Sequence, residues 1–381
     1  MISAAPAQKT LLVVLGTRPE AIKLFPVIHA LRAQPGVQVR VCARGQHGAM
    51  VHQILQLADI APDYDLAVLQ PGQSLDALLA RLVQRLGRVM DAVHPDCIVV
   101  QGDTLSALAA GLSGHFRGIA LAHVEAGLRS GNLRHPAPEE AIRKMLAAIA
   151  HYHFAPTHSA ASALRAENVP ADAIYVTGNS GIDALFAMRA RVLAEPRLVA
   201  ALDKVLDRFA GQRLIAVTIH RRENQGSALA EIAAGLAAVA QRPDVALVYP
   251  LHPNPTIRRV MRAALAHLSN VALLEPLDYP SCVALLDRAS LVLTDSGGLQ
   301  EEAPALGKPV LVLREATERL EAVTYGTARL VGADARRIAA EVDRLLDDPG
   351  HYAQMAQAHT PYGDGKAAPR IAQILADAVY G

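Results

Sequence analysis

The chain has no tryptophan, only 4% aromatic residues, three cysteines, and a formal net charge of +1 from 37 basic and 36 acidic residues. Each shortage excludes something. With so few rings, Ala, Leu and Val must do most of the packing. The cysteines, Cys42, Cys97 and Cys282, lie far apart in apolar surroundings. That is neither a disulfide framework nor a metal-ligand spacing, and it fits a reducing cytoplasm. Balanced charge predicts no nucleic-acid partner and no membrane-surface patch, so any specificity for an anion must be local. No stretch approaches the roughly 18 uncharged apolar residues of a spanning helix. The first apolar run, Leu11 to Leu15, is short, follows Lys9 and is soon interrupted by Arg18 and Glu20. It does not read as a signal peptide.

What is present is core-forming sequence: 381 residues, 51% of them hydrophobic. That is comfortable for two domains of about 150–200 residues. Short apolar runs alternate with helical patterns. "LLVVL", "VQVRVCA", "DCIVV", "GIALAHV" and "HYHFAP" come first, then "RLIAVTI", "DVALVYP", "VALLEP", "SLVLTDS" and "PVLVLR". Continuous apolar strands joined by helices predict parallel sheets covered on both faces. The fold class is therefore α/β, with two Rossmann-like, doubly wound domains facing a central cleft. The seam is expected near Ile174–Leu185. In such sheets ligands bind at the carboxyl ends of strands, so the informative residues should stand just after the apolar runs.

They do. "GTRPEAIK" (Gly16–Lys23) offers a tight turn, a capping Thr17, Pro19 in the first helical turn, and Arg18 and Lys23 to meet an anion. It lacks the Gly-x-Gly-x-x-Gly dinucleotide fingerprint. In "QGDT", Asp103 can cap the next helix or act as a base. "VTIHRREN" gathers His220, Arg221, Arg222 and Glu223, a set suited to a diphosphate. "TDSGGLQEE" presents Ser296, Gly297 and Gly298 at a helix start as a phosphate cradle, with Glu301 or Glu302 one turn on for ribose hydroxyls. His151 and His153 in "HYHF" share a strand spacing, but no further ligand follows and no metal is predicted. "VEAGLRSGNLRHPAPEEAIRK" (Val124–Lys144) admits an ordinary reading as a helix start with i,i+4 pairs Glu139–Arg143 and Glu140–Lys144. Glu125 escapes that reading, because a carboxylate straight after a buried strand needs a reason.

Taken together these motifs resemble the non-hydrolysing UDP-N-acetylglucosamine 2-epimerases. The resemblance runs through "GTRPEAIKLFPV", "QGDT", "HVEAGLRSGN", "PEEAIR", "VTGNSGIDAL", "VTIHRREN", "YPLHPNP", "TDSGGLQEEAPALGKPVLVLREATER" and "PYGDGKAAPRI". It implies a glycosyltransferase-B-like fold with a first domain over 1–176, a UDP-binding domain over 177–362, and a C-terminal helix in 363–381 returning to the first. It implies a cytoplasmic homodimer that uses no cofactor. The reaction implied is interconversion of UDP-GlcNAc and UDP-ManNAc, supplying ManNAc for cell-surface polysaccharide. The route is loss of UDP to give 2-acetamidoglucal, then re-addition.

Carried over by motif, Asp103, Glu125 and Glu139 are the acid/base candidates and His220 serves the departing diphosphate. Arg18, Lys23 and Arg143 would surround phosphates and sugar. Ser296, Gly297 and Gly298 would cradle phosphate, Glu302 would hold ribose, and Arg319 would close on the ligand. Some members bind a second, activating UDP-GlcNAc. Gln46, Gln73, Arg221 and His252 match that pattern, whereas Ala49 and Gly72 replace its Gln and Arg. Ile142 and Leu320 also depart from the usual Asn and Pro. The alternatives are a hydrolysing 2-epimerase, in which water traps the intermediate, and a glycosyltransferase of the same fold, against which Glu125 and Glu139 argue.

Overall fold

The computed structural model describes residues 8–44, 49–68, 70, 72–134, 136–357, 361–378 and 380. The chain divides into two compact units, Met1–Ala184 with Tyr362–Gly381, and Leu185–Pro361. The first unit runs β1 (Lys9–Leu15), α1 (Arg18–Arg32), β2 (Val37–Ala43), α2 (Ala49–Leu57), β3 (Tyr64–Asp65), α3 (Leu75–Val93), β4 (Cys97–Gln101), α4 (Leu105–His115), β5 (Ala120–Val124), α5 (Glu139–Ile149), β6 (Tyr152–Ala155), α6 (His158–Ala166) and β7 (Ile174–Val176). Helix α7 (Ser180–Ala194) spans the division. The second unit continues α8 (Ala200–Leu206), β8 (Arg213–Thr218), α9 (Ser227–Val239), β9 (Val245–Pro250), α10 (Pro255–Leu265), β10 (Val271–Leu274), α11 (Tyr279–Arg288), β11 (Leu291–Thr294), α12 (Leu299–Ala305), β12 (Val310–Val312), α13 (Leu320–Thr324), β13 (Ala328–Leu330), α14 (Ala335–Asp347) and α15 (Pro349–Met355). Helix α16 (Ala367–Asp377) belongs to the first unit.

Among the described residues each unit holds one sheet, ordered β3-β2-β1-β4-β5-β6-β7 and β10-β9-β8-β11-β12-β13. Every strand pairing is parallel. The apolar runs explain why. Leu11, Leu12, Val13 and Leu15 of β1 and Ile98, Val99 and Val100 of β4 are fully buried, as strands covered on both faces must be. Leu12, Val14, Leu82, Leu86, Ile98 and Val100 belong to the first core, and Ile215, Val217, Leu247, Leu291 and Leu293 to the second. Each such side chain contributes about 1.5–3 kcal/mol on burial, several times the worth of a surface ion pair. In both sheets the order reverses direction beside the first strand, at β1/β4 and β8/β11. Those are the switch points where loops part and a ligand can enter.

The motifs "VTGNSGIDAL" and "PYGDGKAAPRI" find a structural use in the first unit. Asp183 accepts the Ala367 and Ala368 N–H groups at 3.2 and 2.8 Å, capping α16. The Asn179 N–H donates to the Tyr362 carbonyl at 2.6 Å. Gly178 has φ 91°, and a Cβ there would meet the Gly363 Cα at 3.1 Å. Only glycine fits that approach. Among the described residues no helix is long and apolar enough to cross a membrane.

Candidate active site

The first unit's cluster is built on the loops after β1, β4 and β5. Thr17 caps α1 and Thr104 caps α4, accepting from the Glu20 and Ala107 N–H groups at 3.4 and 3.1 Å. These caps start each helix close to its strand, so Arg18 is the first residue of α1 and Asp103 stands in the short turn between β4 and α4. Asp103 accepts from Arg143 Nε at 2.8 Å and Nη2 at 2.6 Å. Both donors meet one oxygen, Oδ2, and this charge-assisted pair ties the β4–α4 turn to α5.

Glu125 follows β5 directly and adopts φ 63°. A branched-free but bulky side chain in that region is strained, and the contacts hold it there. Its Oε2 accepts from Lys23 Nζ and, at 2.9 Å, from Gln101 Nε2. Its side chain is only 8% exposed. Glu139 opens α5, and its Oε2 is buried with no hydrogen-bond partner. Two carboxylates are thus held by cations, and a third keeps a bare oxygen.

The i,i+4 reading of α5 fails. Glu140 is fully buried and accepts the Ser130 and Gly131 N–H groups at 3.0 and 3.3 Å, together with Arg143 Nη1 at 3.1 Å. Lys144 pairs instead with Glu167 at 2.8 Å. Arg143 meets Asp103 and Glu140 rather than Glu139. The reason is energetic. An exposed helix pair is worth about 0.2–0.5 kcal/mol, whereas a buried carboxylate requires several donors. Arg129, from the same loop, binds Glu167 at 3.0 and 2.6 Å. The hydrogen bond from Arg129, then that from Lys144, outweighs partial burial and draws the Glu167 carboxyl down to about 2. The two ends of the loop between Glu125 and Glu139 are therefore anchored.

His123 and His153 are register partners on the adjacent strands β5 and β6. Burial lowers both to about 4, so they stay neutral. His123 Nε2 lies 2.7 Å from the Gly102 carbonyl and donates to it, pinning the turn that carries Asp103. His151 precedes β6 and is exposed; its Nδ1 accepts the Leu121 N–H at 3.2 Å. Among the described residues no group of three or more His, Cys, Asp or Glu is placed to hold a metal ion.

The second unit's cluster stands after β8 and β11. Asp295, directly after β11, is 0% exposed. Its two oxygens accept the His220 N–H at 3.0 Å, the Arg221 N–H at 2.9 Å and Asn224 Nδ2 at 2.9 Å. The fourth donor is His220 Nδ1, at 2.9 Å. A carboxylate only accepts, so Nδ1 carries the proton and Nε2 is the nitrogen left for a ligand. Burial alone would raise the Asp295 carboxyl, but the His220 side chain and the backbone donors bring it below its ordinary value. It remains ionised. Sequence spacing could not reveal this dyad, since 75 residues separate its members.

Ser296 differs from expectation. Its N–H already donates to Thr294 Oγ1 at 2.9 Å, so what it offers an anion is its hydroxyl. A Cβ on Gly297 would meet Arg319 Cζ at 3.2 Å and Arg221 Nη2 at 3.5 Å. Two guanidinium groups therefore converge on this glycine, and Arg221 Nε is buried with no hydrogen-bond partner. Arg319 is held by Glu301 at 2.9 Å. Glu302 lies on α12, with Oε1 3.8 Å from a Cβ placed on Gly298. The rings of His220 and His252 are 6.3 Å apart. Arg18 is half-buried at the start of α1. Gln73 has its Oε1 buried with no hydrogen-bond partner, whereas Gln46 lies outside the described residues.

The family model for UDP-N-acetylglucosamine 2-epimerase matches residues 29–376. The chain belongs to the UDP-N-acetylglucosamine 2-epimerase family. It is an isomerase by that membership. It is 48% identical over 366 residues to the UDP-N-acetylglucosamine 2-epimerase of Salmonella typhimurium, covering 96% of this chain and 97% of that one. It is 46% identical over 368 residues to the Escherichia coli K12 protein of the same name, covering 96% and 97%. Among solved structures, the UDP-GlcNAc 2-epimerase of Neisseria meningitidis bound to UDP-GlcNAc matches with a TM-score of 0.89 and 40% identity, over 96% of this chain and 99% of that one. The two parallel-sheet units are thus of the glycosyltransferase-B-like type seen in this family.

Proposed function

We propose that the chain interconverts UDP-GlcNAc and UDP-ManNAc without hydrolysis, by eliminating UDP and adding it back. The observation that carries this reading is where the chemistry-bearing residues stand. Asp103 and Lys23 flank the β1/β4 switch point, Glu125 directly follows the next strand, and the His220–Asp295 dyad stands at the β8/β11 switch point. The C2 hydrogen of the sugar is not beside a carbonyl, so simple deprotonation is too slow. Removing it while the C1–O bond breaks avoids a free carbanion. The base takes the C2 proton, the C–H electrons become the C1=C2 double bond of 2-acetamidoglucal, and UDP leaves with the C1–O electrons. In the return step a UDP oxygen attacks C1 and a proton reaches C2 from the other face.

Such a reaction needs carboxylates around the ring and strong stabilisation of the diphosphate. Asp103, Glu125 and Glu139 supply the first, and the bare Glu139 oxygen is suited to accept a proton. His220 Nε2, Arg319, Gly297, Gly298 and the Ser296 hydroxyl supply the second, with Arg221 beside them. Arg18 and Arg143 add positive charge, and Glu302 binds ribose. Residues Gln46, Gln73 and His252 remain candidates for a second nucleotide-sugar. The reading includes a homodimer in the cytoplasm that feeds polysaccharide synthesis. The free cysteines, two of them buried, suit a reducing compartment.

Positional isotope exchange tests the route. UDP-GlcNAc carrying ¹⁸O in the sugar–phosphate bridge should scramble that label into the non-bridging β-phosphate positions during turnover. Epimerisation with the label fixed in the bridge would sink the elimination.

A further inference from the structure

Helix α1 carries an acidic residue that this scheme leaves unused. Glu20 is one turn into α1 and 1% exposed. With Thr17 it forms the pattern of a capping box, Thr-x-x-Glu, in which the glutamate ordinarily reaches back to its own helix start. Here it does more. Oε2 accepts the Gly16 N–H at 3.0 Å, and Oε1 accepts the Thr104 hydroxyl at 2.7 Å, 84 residues away. A solvated glutamine or glutamate would serve the cap alone. A buried carboxylate is retained at a cost that capping does not explain.

Thr104 is the residue after Asp103. Its hydroxyl donates to Glu20 and accepts the Ala107 N–H at 3.1 Å, so the rotor is fixed at both ends. The two turns also touch directly: a Cβ on Gly16 would lie 2.1 Å from Ser106 Oγ. On its other side Asp103 is gripped by Arg143. One turn further along α1, Lys23 grips Glu125. The start of α1 is therefore a common mount for two of the three carboxylates, holding one directly and the other through Thr104.

We infer that Glu20 is a positioning residue for the reaction: through the Thr104 hydroxyl its buried carboxylate fixes the turn that presents Asp103 to the sugar. This rests on the reading of Asp103 as a proton-handling group.

The test compares Glu20→Gln, Glu20→Ala, Thr104→Val, Thr104→Ser and Asp103→Asn. It follows kcat, KM for UDP-GlcNAc, UDP affinity and deuterium exchange at C2. Misplacing a reacting group by a fraction of its contact distance costs about 10–100-fold. Glu20→Ala and Thr104→Val should each lower kcat and C2 exchange together by about that factor. KM and UDP affinity should stay near the parent values. Thr104→Ser should restore most of the loss, Glu20→Gln should fall between Glu20→Ala and the parent, and the Glu20→Ala/Thr104→Val pair should be little worse than either alone. The two threonine variants keep the test open if Glu20→Ala does not fold. Parent-like kcat in Glu20→Ala and Thr104→Val, with Asp103→Asn inactive, overturns the inference while leaving the role of Asp103 intact. So does a loss of UDP affinity in step with kcat, which marks general support of the fold. Full C2 exchange in Asp103→Asn removes the reading of Asp103 and this inference with it.

Discussion

Asp103→Asn, Glu125→Gln and Glu139→Gln each lower kcat by about 10²–10⁴-fold, the usual worth of a positioned acid or base, and leave UDP affinity almost unchanged. The split follows from where the groups sit. All three carboxylates belong to the first unit, whereas the residues proposed to cradle phosphate belong to the second. The amides keep size and one acceptor oxygen but cannot take up a proton. Glu125→Gln carries an extra consequence, because Lys23 loses its carboxylate partner. Glu139→Gln is the cleanest of the three, since its Oε2 has no hydrogen-bond partner to lose. Steady-state kinetics beside UDP titration calorimetry measures both quantities. Near-parent kcat in all three variants would make the carboxylate assignment wrong.

Asp295→Asn lowers kcat by about 10²–10³-fold and the folding free energy by about 3–5 kcal/mol. Every partner of the Asp295 carboxylate is a donor. An amide must turn its NH2 toward one of them, which leaves at least one buried group unpaired. The same change removes the charge that fixes the proton on His220 Nδ1, and with it the orientation of the Nε2 proposed to serve the departing diphosphate. His220→Gln should give a similar kcat with a smaller loss of stability, since His220 is partly exposed. The double variant should be little slower than His220→Gln alone, because the two residues act as a unit. Rates that multiply would mean that Asp295 acts on something other than His220.

Much of the fold was legible in the sequence because parallel strands buried on both faces must be continuously apolar. "LLVVL", "DCIVV" and "SLVLTDS" each became part of a strand within two residues of the run. The polar residues that follow them were legible as site candidates for the same reason. What escaped depends on contacts across the sheet. Glu140 looked like half of a helix pair with Lys144, yet its charge is satisfied by loop N–H groups 9 and 10 residues before it. Asp295 lies inside "TDSGGLQEE", yet only its neighbours from Ser296 on were singled out. Asp295, like Glu125, is an acid directly after a buried strand. Glu20 was open to detection by its Thr-x-x-Glu spacing, but its partner Thr104 was not. Arg221 was matched to a second nucleotide-sugar site by motif, and only the fold shows its guanidinium beside Arg319 over Gly297.

The central claim is that the C2 proton is exchanged while UDP and the sugar are held apart. Incubating the protein with UDP-GlcNAc alone in deuterated water and following the sugar by proton NMR tests it most directly. The account predicts UDP-ManNAc carrying deuterium at C2. UDP-ManNAc that keeps protium at C2, or no exchange at C2 in either sugar, would contradict it.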